Sequence, residues 1–269
     1  MLKRLGYFEA VKKEIEDMYT QSGNTKVTVV VHSMGGPVSL YFFTSGIVTQ
    51  QWKDTHINAY ITLSGAWAGA GEALGGIVSG SMVNIHFKLI QNLIGGLTVP
   101  FIRSLESTWW MLPNPDVWGD TEVVVTQPHR NYTVCDYEQL FRDIDYAEGI
   151  LKFNEVKDIN KGFPAPNVST HCLCGVGTPT PMHYYYNHDF PHLAPDHIDN
   201  TDGDGTVNVK SLKVCLRWKE SRYGFQFKTF EGVDHGDMVK NETVFDEIAK
   251  IIGIDVIPRG ETSSTKEEL

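Results

Sequence analysis

The chain has 269 residues, of which 41% are hydrophobic and 21% charged, a balance typical of globular proteins, and its length favours one α/β domain over two. A net charge of -10, with no cluster of basic residues, argues against a nucleic-acid-binding protein. No apolar stretch is long enough for a transmembrane segment, and the charged residues that follow Met1 do not match a signal peptide.

The first predicted element is an amphipathic helix over residues 3–20, where apolar side chains recur at helical spacing. A Ser-Gly-Asn sequence at 22–24 ends it. Val27–Val31 is a run of β-branched residues, which predicts a strand buried on both faces of a parallel sheet. Ala59–Leu63 predicts a second parallel strand, so the two form a βαβ unit.

Between these strands, the sequence HSMGG at 32–36 predicts a sharp turn into a helix over Pro37–Phe43. A serine on a tight strand-to-helix turn is typical of a nucleophile elbow, whose small neighbours let the helix pass close to the strand. Val31 replaces the first glycine of the usual G-x-S-x-G pattern, so a simple turn without chemistry is the alternative. The flanking strand and helix favour Ser33 as a nucleophile, with the Met34 N–H as an oxyanion donor.

Residues 65–97 are rich in glycine and apolar side chains. Their position after the second strand favours an apolar lid beside Ser33, spanning about 66–100 and suited to a lipid substrate. A pair of core helices is the alternative.

The rest of the chain alternates between irregular and periodic segments. Residues 106–133 are predicted to be irregular but packed. The other predictions are a helix at Tyr137–Leu151, a strand at Val168–Gly175, a surface loop at 178–186, an acidic loop at Pro191–Asn200, a strand at Phe225–Phe230 and a helix at Asn241–Ile252. Residues 256–269 are predicted to be a disordered polar tail.

The loop DGDGT at 202–206 contains candidates for the acid of a catalytic triad. Its spacing does not fit a calcium-binding EF-hand loop, so no metal site is predicted there. Asp204 is the favoured acid, with Asp199 and Asp202 as competitors, and His235 is the candidate general base. The chain order Ser, Asp, His is the one that α/β-hydrolases use, and a core histidine at 235 is the alternative.

Four cysteines and three glycosylation sequons are less informative. Cys135, Cys172, Cys174 and Cys215 match no zinc-binding spacing, so their residues alone suggest free cytosolic thiols. The sequons begin at Asn131, Asn167 and Asn241, a number close to chance.

Five motifs together resemble the lecithin:cholesterol acyltransferase family, and most of all its lysosomal (group XV) phospholipase A2 branch. They are HSMGG at 32–36, SLESTWWMLPNPDVW at 104–118, NYTVCDYEQLFRDI at 131–144, HCLCGVGTPTPMHYYY at 171–186 and DGDGTVNVKSLKVC at 202–215. The resemblance implies an α/β-hydrolase fold, with a mostly parallel sheet and flanking helices. It also implies a calcium-independent phospholipase and transacylase that needs no cofactor and works at a peripheral membrane surface. An acyl group would pass from a phospholipid substrate through Ser33 to water or to a lipid alcohol acceptor such as ceramide.

Motif by motif, the family resemblance implies Ser33 as nucleophile, Asp204 as acid, His235 as base and Met34 as one oxyanion donor. It also implies a disulfide between Cys172 and Cys215, which places the protein in an oxidising compartment, in a lysosome or secreted. Cys135 and Cys174 match no disulfide position of the family, so both are predicted to be free.

The resemblance covers residues 1–255, which we expect to be a partial hydrolase domain lacking the family's first strands and its cap. A strand edge at Val27–Val31 would then be open, so a truncated and catalytically impaired chain acting as a lipid-binding or interaction protein is the alternative function. A generic carboxylesterase fits the triad but not the five motifs. The last four residues, KEEL at 266–269, approximate an endoplasmic-reticulum retrieval signal.

Overall fold

The computed structural model describes residues 6–80, 98–190 and 194–255, which form two four-stranded sheets with helices packed around them. The strands are β1 (Val27–His32), β2 (Ile57–Leu63), β3 (Val123–Gln127), β4 (Arg130–Thr133), β5 (Thr170–Val176), β6 (Thr178–Tyr185), β7 (His197–Gly203) and β8 (Phe225–Glu231). The α-helices are α1 (Tyr7–Gln21), α2 (Gly35–Thr44), α3 (Gln50–His56), α4 (Gly71–Ser79), α5 (98–104), α6 (Glu106–Trp110), α7 (Pro115–Trp118), α8 (Tyr137–Asp143), α9 (Gly149–Val156), α10 (Val209–Leu212) and α11 (Glu242–Ile252). Short 3-10 helices cover Val134–Asp136, Lys213–Trp218 and Asp237–Val239.

The first sheet is parallel throughout, with the strand order β1-β2-β5-β8. Alternate residues of β2 face opposite sides of it: the buried Tyr60 packs in the core that includes α1 and α2, whereas Ile61 and Leu63 pack against the apolar side of α11. Helices on both faces explain why β2, in the interior of the sheet, is almost entirely buried, whereas β8, at an edge of the described sheet, has more polar and exposed residues. The α/β class predicted from the sequence is confirmed, and all four strands lie within two residues of their predicted positions.

The strand that precedes Ser33 is less buried than predicted. Within the described residues, β1 pairs with β2 on one side only, so it forms an edge of the sheet. Its residues are half-buried and Val30 is 46% exposed, so the prediction of burial on both faces is wrong. The open apolar edge expected at Val27–Val31 is present in this part of the chain.

A second sheet, with the order β4-β3-β6-β7, was missed by the sequence analysis. Strand β6 pairs antiparallel with β7 and parallel with β3, although residues 178–186 were predicted to be a surface loop. That prediction is wrong because alternate residues of this segment are buried against the core, a period of two that Pro179 and Pro181 obscured. A register shift between Pro181 and His183 accommodates the second proline.

Helix α4 is buried along nearly its whole length and packs on β6. Two glycines make this approach possible: a Cβ atom at Gly71 would lie 2.2 Å from the Pro181 carbonyl oxygen, and one at Gly75 would lie 2.5 Å from the Tyr184 hydroxyl. Residues 66–80 are therefore packed in the core, which favours the core-helix alternative for this part of the segment, and the lid at about 66–100 stays a prediction. The central part of the predicted lid, 81–97, lies outside the described residues.

The helix predicted at Tyr137–Leu151 is two helices, α8 and α9. Asp145, between them, has a φ angle of +54°, which no residue of a right-handed α-helix can adopt.

The closing helix is confirmed as α11, and the Asn241 side chain caps its first turn. In the described part of the chain, no helix combines the length and the apolar character that a membrane crossing requires.

Candidate active site

Ser33 lies on a strained turn between β1 and α2. Its φ angle is +57°, a conformation that is uncommon for residues other than glycine. The turn is held by hydrogen bonds from the Ser33 N–H to the Leu63 carbonyl oxygen and from the Gly36 N–H to the Ser33 carbonyl oxygen, both at 3.0 Å. A Cβ atom at Gly36 would lie 3.1 Å from the Gly65 Cα, so the predicted need for small residues at this corner is supported by the packing.

The imidazole of His235 joins Ser33 to Asp204. Its Nε2 lies 2.7 Å from Ser33 Oγ, and its Nδ1 lies 2.7 Å from Asp204 Oδ2. Because Nδ1 faces a carboxylate, it carries the hydrogen, which leaves Nε2 free to accept the hydrogen of the Ser33 hydroxyl. The three side chains predicted from the sequence therefore lie in the geometry of a serine hydrolase triad.

Asp204 is fully buried and its carboxylate is held from three directions. Oδ1 accepts hydrogen bonds from the backbone N–H groups of Thr206, at 3.1 Å, and Val207, at 2.7 Å. The Asp204 carbonyl oxygen also accepts a hydrogen bond from the His235 N–H, at 2.7 Å. Asp204 and His235 are therefore joined by one backbone and one side-chain hydrogen bond. These contacts fix the carboxylate in one orientation towards the imidazole.

The two competitor acids are engaged elsewhere. Asp202 Oδ1 accepts a hydrogen bond from the Gly177 N–H, and Asp199 is bound by the side chains of Tyr185 and His197. Both are exposed, whereas Asp204 is buried beside His235. The geometry therefore favours Asp204 over both alternatives.

His32, which the sequence analysis did not single out, supports the loop that carries His235. Its Nε2 lies 2.9 Å from the His235 carbonyl oxygen and donates to it, and the two ring centroids are 4.6 Å apart. Burial, and then the nearby His235, lower the pKa of His32, which favours the neutral form of its imidazole. No local pattern marks this role, because His32 and His235 are distant in the chain.

Met34 is the N-cap of α2, at the end of the helix where backbone N–H groups favour negative charge. Its side chain is 37% exposed, so the turn is open to solvent at this point. These two features are compatible with the Met34 N–H as an oxyanion donor, and this role stays a proposal.

The remaining predicted sites lie away from the triad. Cys172 and Cys215 are buried free thiols, and Cys215 lies beside both Cys172 and Cys174. Burial raises the pKa of Cys215 the most, and the two neighbouring thiols raise it further. The predicted Cys172–Cys215 disulfide is not formed in the structure, although the two thiols are adjacent, so the pairing stays a prediction. Cys135 is a thiol at the surface.

The three sequons differ in accessibility. Asn131 and Asn167 are exposed, as a glycosylated asparagine must be, whereas the Asn241 side chain is partly buried and accepts hydrogen bonds as the cap of α11. Asn131 and Asn167 are therefore the better candidates for glycosylation.

Across residues 6–80, 98–190 and 194–255, no group of three or more His, Cys, Asp or Glu side chains is arranged to hold a metal ion.

Comparison with known proteins places this geometry in context. A family model described as lecithin:cholesterol acyltransferase matches residues 2–242. The lysosomal phospholipase A and acyltransferase of Homo sapiens is 36% identical over 249 residues, which are 91% of this chain and 58% of that protein. The protein of the same name from Mus musculus is 34% identical over 248 residues, with the same two coverages.

The phosphatidylcholine-sterol acyltransferase of Gallus gallus is 33% identical over 240 residues, which are 87% of this chain and 55% of that protein. The chain thus spans between 55% and 58% of the length of these relatives. A chain in the crystal structure of the Tle4–Tli4 complex matches with a TM-score of 0.57 and 13% identity, covering 93% of this chain and 65% of that one, a likeness of fold alone. This likeness of fold, together with the parallel sheet and its flanking helices, confirms the predicted α/β-hydrolase fold.

Proposed function

Because this chain belongs to the lecithin:cholesterol acyltransferase family, we propose that it is a serine-dependent phospholipase and O-acyltransferase. An acyl group leaves a glycerophospholipid, is held as an ester on Ser33, and passes to water or to a lipid alcohol such as ceramide. The observation that carries the proposal is the continuous hydrogen-bond chain from Ser33 through His235 to Asp204. The names of the relatives, which include both phospholipase and acyltransferase, support the choice of reaction and substrate class.

The proposed reaction has two halves that use the same three side chains. Ser33 Oγ attacks the ester carbonyl while His235 Nε2 takes the hydroxyl proton, and the Met34 N–H stabilises the negative charge on the carbonyl oxygen. The ester C–O bond then breaks, and His235 gives its proton to the departing lysophospholipid oxygen. In the second half, the acceptor hydroxyl attacks the acyl-Ser33 ester while His235 takes its proton; the bond between the acyl carbon and Ser33 Oγ then breaks, and that proton returns to Oγ.

Asp204 stabilises the imidazolium in both halves, because its buried carboxylate lies 2.7 Å from Nδ1 and accepts no proton in the scheme. The alternative of a non-catalytic lipid-binding protein is not favoured, since both side-chain hydrogen bonds of the triad are formed. The scheme uses only protein groups for proton transfer, so we propose that activity is independent of calcium, which turnover in the presence of a calcium chelator tests.

The first experiment is labelling of the purified protein with a fluorophosphonate probe, which reacts only with an activated serine. We expect labelling of the unaltered protein and of a Ser45→Ala control, whose serine is exposed at the end of α2, but none of Ser33→Ala. Labelling that persists in Ser33→Ala would refute the assignment of the nucleophile.

The second experiment identifies the acyl donor and acceptor. Vesicles of phosphatidylcholine containing a short-chain ceramide are incubated with the protein, and lysophospholipid, fatty acid and acylceramide are measured by mass spectrometry. Acylceramide formed together with lysophospholipid supports transacylation, whereas fatty acid without acylceramide supports hydrolysis alone. Turnover of a soluble ester without any of the three products would instead indicate a generic carboxylesterase.

We also propose a location in the lysosome or elsewhere in the secretory pathway, as the name of the lysosomal relatives suggests. Contact with membranes would then be peripheral, at the surface that presents the phospholipid. The retrieval signal predicted at 266–269 lies outside the described residues. Extending the chain beyond Leu269 should move the protein out of the endoplasmic reticulum if that signal operates, and an unchanged distribution would argue against it.

A further inference from the structure

The catalytic acid and base lie on loops that follow strands of different sheets. The acid loop (204–208) follows β7 of the second sheet, and the base loop (232–237) follows β8 of the first. The imidazole of His235 must bond to Asp204 and Ser33 at the same time, at 2.7 Å in each case. The position of one loop relative to the other therefore decides whether the triad is complete.

Thr178, the first residue of β6, contacts both loops through the two branches of its side chain. Its hydroxyl donates a hydrogen bond to Asp234 Oδ1 in the base loop, at 2.7 Å. Its methyl group faces the acid loop, since a Cβ atom built at Gly205 would lie 3.2 Å from Thr178 Cγ2. The backbone of Thr178 also pairs with that of Asp204 in a parallel bridge. One residue thus joins the acid loop to the base loop.

Thr178 is itself held in place by the second sheet. It pairs with Gly203 in the β6–β7 ladder, and its carbonyl oxygen accepts a hydrogen bond from the Thr180 hydroxyl at 2.9 Å. The oxygen of that hydroxyl in turn accepts a hydrogen bond from the Gly205 N–H at 2.9 Å, and the Thr180 side chain is fully buried. Thr178 therefore rests on a strand, which fixes a side chain more closely than a loop does.

Asp234 accepts the Thr178 hydroxyl where the base loop turns. The Asp234 carbonyl oxygen accepts hydrogen bonds from the backbone N–H groups of Asp237, at 2.9 Å, and Met238, at 3.1 Å. Met238 is fully buried against the first sheet, so it anchors one end of the turn. Rotation of the loop about this anchor would move the imidazole away from its two partners. The hydrogen bond from Thr178, made to a carboxylate and therefore stronger than one between neutral groups, opposes that rotation.

We propose that Thr178 is a positioning residue of the triad, which holds the base loop against the acid loop through its hydroxyl. It touches no reacting atom and acts on the imidazole of His235 through Asp234. The inference rests on the proposed function, because it assumes that the triad cleaves an ester. It adds a contact from the second sheet to the support that His32 gives the same loop from β1.

Two substitutions each remove one branch of this side chain. Thr178→Val keeps the methyl group and the shape but loses the hydroxyl, whereas Thr178→Ser keeps the hydroxyl and loses the methyl group. With p-nitrophenyl butyrate as substrate, Thr178→Val should lower kcat about tenfold and change KM by less than about twofold, because it misplaces the imidazole and removes no contact with the substrate. Thr178→Ser should keep at least about half of the normal kcat.

Thr55→Val is the matched control for the loss of a threonine hydroxyl. Thr55 is exposed on α3, and its hydroxyl donates to the Gln51 carbonyl oxygen within the same helix. The kcat and KM of this variant should equal those of the unaltered protein. Equal losses of kcat in Thr178→Val and Thr178→Ser would show that the hydroxyl is not what matters, and would overturn the inference.

A second measurement detects the geometry of the triad directly. The proton that His235 Nδ1 donates to Asp204 gives a nuclear magnetic resonance signal far downfield of the backbone amides. We expect this signal in the unaltered protein and in Thr178→Ser, and its loss or broadening in Thr178→Val. A purely structural role would instead lower the free energy of unfolding in urea and leave the signal of the folded protein unchanged.

Asp234→Ala tests whether Thr178 acts through Asp234. This variant removes the acceptor but keeps the backbone of the turn, so it should lower kcat about as much as Thr178→Val does. If the hydroxyl and the carboxylate act as one contact, the double variant loses about tenfold in kcat rather than about a hundredfold. A fully additive loss would overturn the assignment of Asp234 as the mediator.

Failure of this inference can be told from failure of the proposed function. Normal kcat in Thr178→Val, or an unchanged His235 signal in that variant, would overturn the inference and leave the proposed function intact. If the unaltered protein turns over neither p-nitrophenyl butyrate nor phospholipid, the proposed function fails, and the His235 signal alone then decides the role of Thr178. If the unaltered protein shows neither turnover nor the signal, both proposals are wrong.

Discussion

Replacing Asp204 by asparagine should abolish most activity while leaving the fold intact. Asparagine has the same shape, and its side-chain oxygen can keep the hydrogen bonds that Thr206 and Val207 donate to Oδ1. Its NH₂ group would then face His235 Nδ1, where Asp204 Oδ2 now accepts a hydrogen bond at 2.7 Å. Two donors cannot face each other, so His235 would adopt the tautomer with its hydrogen on Nε2, which cannot take the proton of Ser33.

The expected loss is about 10⁴-fold in kcat, the size associated with a wrong histidine tautomer, which corresponds to about 5.4 kcal/mol of activation free energy. The free energy of unfolding should change by no more than about 1 kcal/mol, because each buried polar atom keeps a partner. Activity on p-nitrophenyl butyrate and unfolding in urea measure the two quantities separately.

Asp202→Asn is the matched control, since it removes the same charge from a nearby residue whose Oδ1 accepts the Gly177 N–H and is not bonded to His235. It should change kcat by less than about twofold. More than about a tenth of normal activity in Asp204→Asn, or an equal loss in Asp202→Asn, would show that Asp204 does not orient His235.

Three further predictions concern groups around the triad. His32→Phe should lower kcat about ten- to a hundredfold with little change in KM, because the His235 carbonyl oxygen loses its hydrogen-bond donor. His32→Gln keeps a donor and should retain most activity. Equal losses of kcat in the two variants would contradict a positioning role for His32. Gly175→Ala places a Cβ atom 2.1 Å from the Val233 carbonyl oxygen and should lower the free energy of unfolding, measured in urea, by about 1–3 kcal/mol. Gly236→Ala, whose Cβ would have no atom within 4 Å, should lower it by about 0.5 kcal/mol or less. Equal effects of the two substitutions would refute the packing argument. Burial raises the pKa of Glu72 from 4.5 to about 7, so its contribution to stability is fully present below about pH 4.5 and is lost as pH rises through about 7. Relative to Glu72→Gln, the unaltered protein should therefore lose about 1–3 kcal/mol of unfolding free energy between about pH 5 and about pH 8, and an unchanged difference would contradict it.

The nucleophile and its sheet could be predicted from the sequence because their signals are local. The β-branched run before Ser33, the small residues after it and the apolar helix lie within one short segment, and the structure places all three as expected. His235 and Asp204 lie on loops whose polar and glycine residues also mark them, although the choice of Asp204 over Asp199 and Asp202 needed the family resemblance.

The second sheet, and the residues that support the triad, could not be predicted in the same way. The alternating burial of β6 was masked by two prolines, which are uncommon in strands and here coincide with a register shift. The role of His32 depends on its contact with the His235 carbonyl oxygen, which is 203 positions away in the chain, so no local pattern records it. The burial of 66–80 was misjudged because its glycines lower helix propensity, whereas tertiary packing requires glycines at 71 and 75.

The second sheet has a consequence for how proteins of this architecture diversify. Asp204 directly follows β7 and bridges to Thr178 at the start of β6, whereas Ser33 and His235 follow strands of the first sheet. The three triad residues therefore depend on both sheets, so a mutation preserves their geometry only if it preserves the relative position of the two sheets. A residue inserted within β6 or β7 would shift the pairing of these two strands and so displace the acid, whereas an insertion in an exposed connecting segment leaves that pairing in place. Evolution of new substrate preferences is thus freer in the connecting segments than in the small sheet, even though no strand of that sheet contributes a reacting atom.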